Sequence, residues 1–160
     1  MANKDVPTLY EWIGGDQALQ SLISHFYDRV ATDETLAPVF ANMDAHHAEH
    51  VAAFIGEVFG GPAKYSDHFG SHGEMIRHHM NRSLTEVQRR RWINLLLDTY
   101  TDLGLPGDPE FMSALAGYLE WGSRLAVMNS QPGTPDPGEA PMPKWDWGVV
   151  GGPYVEEPAG

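Results

Sequence analysis

The sequence contains no cysteine among its 160 residues. Disulfide bonds, thiolate zinc sites and iron–sulfur clusters are therefore excluded, because each of them requires cysteine sulfur. A metal site in this chain has to rest on histidine, aspartate, glutamate or tyrosine side chains. The eight histidines are the best candidates, since neutral imidazole is a good ligand for iron and zinc.

Basic residues are also scarce. Ten lysines and arginines stand against 22 aspartates and glutamates, which gives a formal net charge of −12. A surface of this charge repels phosphate backbones and anionic lipid headgroups. We therefore expect neither a nucleic-acid partner nor a membrane partner.

Long apolar runs are missing as well. The first residues, MANKDVPTLYEW, lack the basic and then apolar layout of a signal peptide. No apolar run approaches the ~20 residues that cross a bilayer as a helix. We therefore expect a cytoplasmic location.

The apolar pattern from Thr8 to about Ser130 is helical, and no stretch alternates for long enough to predict a strand. In one early segment, apolar residues recur in steps of three and four, which predicts a helix with one buried face: Leu19, Leu22, Ile23, Phe26, Tyr27 and Val30. The sequence therefore predicts an all-α domain over residues 1–130.

Capping and breaking residues predict the helix ends. A short helical segment begins on a capping Asp33 and reaches Phe40. The next helix begins near Asp44, and Gly60-Gly61-Pro62 ends it. Residues 62–72 are predicted to be a loop. A short helix then covers residues 72 to 80.

Two overlapping capping boxes, Ser83–Glu86 and Thr85–Gln88, predict the start of a long helix that runs to about Leu103. Asp108 and Pro109 begin the last helix as its cap and its first residue.

Residues 131–160 differ in character, because they are dense in proline and glycine and cannot continue a helix. Composition alone predicts a disordered extension. However, Trp145, Trp147 and Tyr154 are large aromatic residues within ten positions, and such residues are rarely left in water. We therefore favour packing of this extension on its own domain or on a neighbouring subunit, which would make a homodimer.

A series of short motifs carries a family resemblance. They occur in this order: Gly14-Gly15, Phe26-Tyr27, Phe40, Gly60-Gly61-Pro62 with Tyr65-Ser66, the segment Met75–Trp92, and Tyr118-Leu119-Glu120 before Asn129. With these motifs in register, the run from Leu9 to Asn129 resembles the truncated hemoglobins, and within them most closely the second group. The resemblance implies a two-over-two helical sandwich around a haem b, which binds O2, NO, CO or similar small ligands.

The resemblance also implies an iron ligand, and two adjacent histidines compete for the role. In the second group the proximal histidine precedes the tryptophan of the following helix by thirteen positions, as His79 precedes Trp92. The triplet Ile76-Arg77-His78 favours His78 instead. Neighbours on a helix point ~100° apart, so only one of the two faces the iron. We prefer His79 and keep His78 as the alternative.

On the cofactor's other side and at its edge, the resemblance implies a set of contact residues: Tyr27, Phe40, His47, Val51, Phe54, Tyr65 and Trp92. Tyr27 and Trp92 have a direct chemical rationale, because a phenol O–H and an indole N–H are donors for the partial negative charge of bound O2. Arg77 and His78 join His50 and Lys64 as candidate partners for the haem propionates.

His47 departs from the small or hydroxyl residue that many second-group members have there. We expect it to gate the site or to donate a hydrogen bond to the ligand, with direct binding to the iron as the alternative. Two strong donors slow ligand release, which favours redox chemistry or sensing over O2 delivery. NO dioxygenation or peroxidase-like turnover would then need an external reductase, because the sequence has no dinucleotide fingerprint.

Two other classes remain open from the residues alone. His46 and His50, four positions apart, can bind Zn²⁺ or Fe²⁺ with carboxylates such as Glu49 or Asp44 in a non-haem metal protein. A cofactor-free interaction module, which would use the acidic helices and the aromatic extension, is the third hypothesis.

Overall fold

The computed structural model describes residues 6–148. Its ordered elements are helices, and no strand occurs in that range, so the all-α prediction is confirmed there. In chain order the helices are α1 (Leu9–Ile13), α2 (Gly15–Val30), α3 (His47–Val58), α4 (Lys64–His68), α5 (His72–Arg77), α6 (Glu86–Asp102) and α7 (Pro109–Asn129).

Side-chain caps set several of these starts. Thr8 and Thr85 each form a capping box, with Glu11 in α1 and with Gln88 in α6. Asp108 caps α7 and accepts from the backbone N–H of Phe111. The second of the two overlapping boxes is therefore the one that begins α6.

The segment Asp33–Phe40 differs from its prediction, because it forms consecutive turns in place of a continuous helix. The Asp33 carboxylate accepts from the backbone N–H groups of Thr35 and Leu36, so its capping role is confirmed. Asp44 likewise accepts from the backbone N–H of His46, a local turn that delays the start of α3 to His47.

The loop prediction for residues 62–72 is wrong over α4. This short helix is tied to α3 by the buried Glu57, whose carboxylate accepts from the backbone N–H and the hydroxyl of Ser66. The contact between Glu57 of α3 and Ser66 stabilises α4, and the local sequence of residues 62–72 does not reveal such a contact. The helix after it, α5, ends at Arg77, and turns continue to residue 80.

The core lies among four long helices, where α2 packs on α3 and α6, and α6 packs on α7. Its largest fully buried side chains include Phe26 on α2, Phe59 just after α3, Tyr100 on α6 and Phe111 on α7. Within residues 6–148, no helix is long and apolar enough to cross a membrane.

Two aromatic residues of the extension pack on this same domain. The Trp145 backbone N–H donates to the Val58 carbonyl at 2.9 Å, and its indole N–H donates to the Ala114 carbonyl at 3.0 Å. The Trp147 indole donates to the Pro7 carbonyl at 2.7 Å. Packing on its own domain, the first of the two predicted arrangements, is thus observed up to residue 148. Tyr154 lies outside the described residues.

Candidate haem site

Three polar side chains from three helices meet on one side of the candidate site. The phenol oxygen of Tyr27 on α2 lies 3.1 Å from Nε2 of His47, the first residue of α3. The Trp92 side chain on α6 lies next to the same phenol and lowers its pKa, as a neighbouring N–H donor does. The structure therefore brings together the two donors and the histidine that the sequence predicted for the ligand side.

Aromatic rings surround this group. The ring of Phe40 lies 5.5 Å from Tyr27 and 5.8 Å from His47, measured between centroids. Phe26 meets Trp92 edge-on at 5.4 Å. Phe40 lies in the turns that follow Asp33. The Asp33 carboxylate accepts from Nε of Arg91 at 2.6 Å, and this bond joins the Phe40 segment to α6 next to Trp92.

The low polarity of this region shifts the pKa values of Tyr27 and His47. Burial raises the pKa of Tyr27, against a smaller lowering by the Trp92 hydrogen bond, so the phenol stays protonated. Burial also lowers the pKa of His47 to about 4, and the charge of His79 adds to this effect. Near neutral pH the trio is therefore uncharged and offers hydrogen-bond donors without a buried ion.

A small cavity adjoins Tyr27 on this side. Its volume is about 370 Å³, and it is lined by Tyr27, Val30, Ala31, Ala37, Phe40, Ala41 and Met43. Most of these side chains are small or apolar, so the cavity offers apolar space beside the Tyr27 side chain.

His79 lies in the turns that follow α5. The side chain is half-buried, and its Nδ1 lies 2.8 Å from the Met75 carbonyl oxygen. A carbonyl only accepts, so Nδ1 carries the proton and Nε2 carries the lone pair. Burial lowers the pKa of His79, which keeps the ring neutral. This tautomer, fixed by a backbone carbonyl, is the one that a metal-binding histidine commonly has.

His78 differs from its neighbour. It is exposed at the C-terminal end of α5, and its backbone carbonyl accepts from Nε of Arg82. The two rings therefore have different surroundings, as adjacent positions on a helical turn should have. The contrast supports His79 as the ligand, which stays a prediction.

These residues fit a haem group. His79 presents a neutral nitrogen donor, and when protonated it would lower the pKa of His47 further. Apolar side chains around them remain only partly buried, among them Phe40, Val51, Met75 and Trp92. A flat apolar cofactor would cover such surface. When bound, haem would supply an iron that His79 could hold through its neutral nitrogen and that could bind a small diatomic ligand.

The remaining predicted contact residues lie along α3 and α4. Val51 is half-buried one turn after His47, and Phe54 follows on the same helix. The buried ring of Phe54 meets Tyr65 of α4 edge-on at 5.0 Å between centroids. These three side chains therefore continue the apolar wall away from the polar trio, and their contact with haem stays a prediction.

The candidate partners of the propionates are scattered. Arg77 is engaged by residues after α7, with Nε 2.9 Å from Oδ2 of Asp136. Lys64 lies 3.5 Å from Asp16, and His50 packs against Phe69 with ring centroids 4.4 Å apart. Each of these three side chains thus has a partner of its own in the structure, and their role at the propionates stays a prediction.

Sequence reasoning missed the Met75 carbonyl that fixes the His79 ring. The signal was available, because residues four apart on a helical turn lie next to each other. It missed the Asp33–Arg91 pair for a different reason, since these residues are 58 positions apart.

The non-haem hypothesis finds no support in the described range. Among residues 6–148, no group of three or more histidine, cysteine, aspartate or glutamate side chains is arranged to hold a metal ion. His46 and His50 do stack, at 6.4 Å between centroids, and His46 lies 3.5 Å from Glu49. These side chains therefore pair with one another without forming a closed ligand set.

Comparison with known proteins identifies the family of the chain. The family model of the bacterial-like globins matches residues 8–110. The chain is 30% identical over 122 residues to a group 2 truncated hemoglobin of Bacillus subtilis, which covers 76% of this chain and 89% of that protein. It is 44% identical over 59 residues to a group 1 truncated hemoglobin of a Nostoc strain, and spans 50% of that relative's length.

A solved structure shows the same fold. The truncated oxygen-avid haemoglobin of Bacillus subtilis superposes with a TM-score of 0.66 at 29% identity, covering 76% of this chain and 99% of that one. The chain therefore belongs to the bacterial-like globins, the truncated hemoglobins, which bind small diatomic ligands such as O2 at a haem iron.

Proposed function

We propose that this protein is a haem b protein that binds O2 tightly, with His79 as the iron ligand and with Tyr27, His47 and Trp92 on the ligand side. The observation that carries the proposal is the meeting of Tyr27, His47 and Trp92, three polar groups among apolar side chains. The oxygen-avid Bacillus subtilis relative supports the choice of ligand.

The chemistry of the trio favours retention of the ligand. O2 held by haem iron carries partial negative charge, and hydrogen bonds to such charge contribute about 1.5–3 kcal/mol each. Tyr27 and Trp92 are neutral donors already oriented by their mutual contact, so little ordering is needed when a ligand enters. The neutral His47 ring lies beside them, with Nε2 3.1 Å from the Tyr27 phenol oxygen.

Slow release suits a reaction at the haem better than delivery of O2. We assign NO dioxygenation or peroxidase-like turnover as the reaction classes in keeping with a retained ligand. The electrons for either class come, in this proposal, from an external reductase. A cytoplasmic location and a homodimer complete the set of predictions for the whole protein.

The test is the O2 dissociation rate of the protein purified with its haem, after the pyridine haemochrome spectrum has identified the haem type. Tyr27→Phe should speed dissociation by about tenfold or more, because it removes one charge-assisted donor. Tyr118→Phe removes a buried phenol on α7, beside Trp145 and away from the trio, and should leave the rate unchanged. A wild-type protein without haem, or equal rates in Tyr27→Phe and wild type, would overturn the proposal.

A further inference from the structure

Residues 131–148 leave the end of α7 and run back over the domain, and we call them the C-terminal strap. They lie beyond residues 8–110, which the family model matches. The oxygen-avid relative is covered over 99% of its length by 76% of this chain, so this chain carries residues for which that relative has no counterpart. The strap therefore needs an account of its own.

The far end of the strap is fixed by its two tryptophans. Trp145 is hydrogen-bonded through both of its N–H groups, and its ring packs on Tyr118 and Trp121 at 5.7 and 5.6 Å between centroids. The ring of Trp147 meets Trp12 edge-on at 5.5 Å. With this end fixed, the course of residues 131–144 is limited to the surface between α7 and these anchors.

On that course the strap contacts both ends of α5. At the helix's last residue, Arg77 makes a two-pronged bond to Asp136, at 2.9 and 3.1 Å, and a third to the Gly138 carbonyl at 3.2 Å. At the first residue, Nδ1 of His72 lies 3.2 Å from the Pro141 carbonyl oxygen. A helix of only six residues is thus held at its start and at its end by the same segment.

The fit between strap and helix is close. A Cβ atom added to Gly73, the second residue of α5, would clash with the carbonyl oxygen of Gly138. Backbone therefore lies directly on backbone at this point, and only glycine permits it.

We propose that the strap positions the proximal histidine, with Asp136 as a positioning residue that acts through Arg77 and α5 on the ring of His79. The link is the Met75 carbonyl, which belongs to α5 and holds Nδ1 of His79. A shift of α5 therefore turns or tilts the imidazole. The proposal rests on the proposed function, because it takes His79 as the iron ligand.

We expect Asp136 to set the position of α5 and to add little to the free energy of unfolding. Both partners of the Arg77–Asp136 pair are largely exposed, with 40% and 59% of their side-chain surface accessible. Exposed ion pairs add little to the free energy of unfolding, yet a two-pronged arginine–carboxylate bond sets direction well. The variant Asp136→Ala should therefore fold with nearly wild-type stability.

The experiment uses the full-length, haem-loaded protein and two readouts that do not depend on activity. One is the iron–histidine stretching band in the resonance Raman spectrum of the ferrous protein, and the other is hydrogen exchange of the α5 amides. Asp136→Ala should shift or broaden the band and speed α5 exchange severalfold. Glu139→Ala removes the same charge from an exposed neighbour in the strap and should change neither.

Two further variants make the result decisive. Asp136→Glu keeps the carboxylate and should restore the band towards the wild-type position. Gly73→Ala displaces the strap by a clash and should reproduce the effect of Asp136→Ala while both charged side chains are kept. Wild-type bands and exchange rates in both Asp136→Ala and Gly73→Ala would overturn the role of the strap.

The two proposals fail in different ways. A wild-type protein that shows no iron–histidine band overturns the proposed function, and with it the step from α5 to His79. Exchange of the α5 amides in the haem-free chain still measures the strap contact in that case. Unchanged exchange in Asp136→Ala would then overturn the strap as well.

Discussion

The Nε2 atom of His47 lies 3.1 Å from the phenol oxygen of Tyr27, while the Trp92 indole reaches the same oxygen from α6. His47 thus has a hydrogen-bond partner on its own side of the site. This favours a gating or hydrogen-bonding role for His47 over direct binding to the iron, because ligation requires Nε2 to leave the phenol.

The first prediction concerns Trp92, whose single N–H lies near the Tyr27 phenol and, in this proposal, donates to a bound ligand instead. Trp92→Phe should speed O2 dissociation by about tenfold or more, the factor carried by a charge-assisted hydrogen bond. Stopped-flow measurement of the dissociation rate checks it. The matched control is Trp121→Phe on α7, a tryptophan 37% exposed that packs on Trp145. Equal rates in Trp92→Phe and wild type would remove Trp92 from the ligand side.

A second prediction is the pH dependence of stability in the haem-free chain. Burial and nearby positive charge lower the pKa of His47 to about 4 in the folded chain, whereas an unfolded histidine titrates near ~6.5. In that window the unfolded chain binds a proton that the folded chain does not. Stability from this group is therefore complete above the unfolded pKa and is lost as the pH falls towards the folded one.

His47→Gln should remove this loss. Between about pH 7 and about pH 4.5 the free energy of unfolding of the variant should fall by about 2 kcal/mol less than that of wild type, allowing for the half-exposed ring. Urea unfolding at several pH values provides the measurement. His25→Gln, on the exposed face of α2, serves as the control and should keep the wild-type profile. Identical profiles for His47→Gln and wild type would show that His47 is solvated.

The third prediction tests the anchoring of the strap by Trp145. Trp145→Ala should lower the free energy of unfolding by about 3 kcal/mol, because it removes a half-buried ring and the hydrogen bond to Ala114. Trp145→Phe keeps a ring and should lose only about 1 kcal/mol. The urea midpoint at an unchanged slope reports both values. A Trp145→Ala variant as stable as wild type would mean that the strap does not pack on the domain in solution.

Local signals in the sequence predicted much of the fold. Thr85 and Asp108 predict the starts of α6 and α7, because an N-cap side chain bonds only to the backbone of the next three residues. The helix α4 was not predictable in this way, because the buried Glu57 of another helix satisfies its first turn. The apolar periodicity of α2 likewise placed Tyr27 on a buried face, as the structure shows.

In the candidate site too, local spacing was informative, whereas contacts between residues distant in sequence were not predictable. Spacing to Trp92 singled out His79, and the structure adds the Met75 carbonyl that fixes its tautomer. The bond between Arg77 and Asp136 joins residues 59 positions apart, so no local pattern announces it. Sequence reasoning assigned Arg77 to the propionates, which stays a prediction, and the structure adds its bond to the strap.

The haem spectrum of two adjacent variants tests the central claim most directly. The full-length protein and its His79→Ala and His78→Ala variants are each titrated with haem, and the Soret band of the ferrous form is recorded with and without added imidazole. We expect His78→Ala to match wild type, and His79→Ala to lose the five-coordinate histidine spectrum until imidazole restores it. A wild-type spectrum in His79→Ala, or its loss in His78→Ala alone, would contradict the assignment of His79 as the iron ligand.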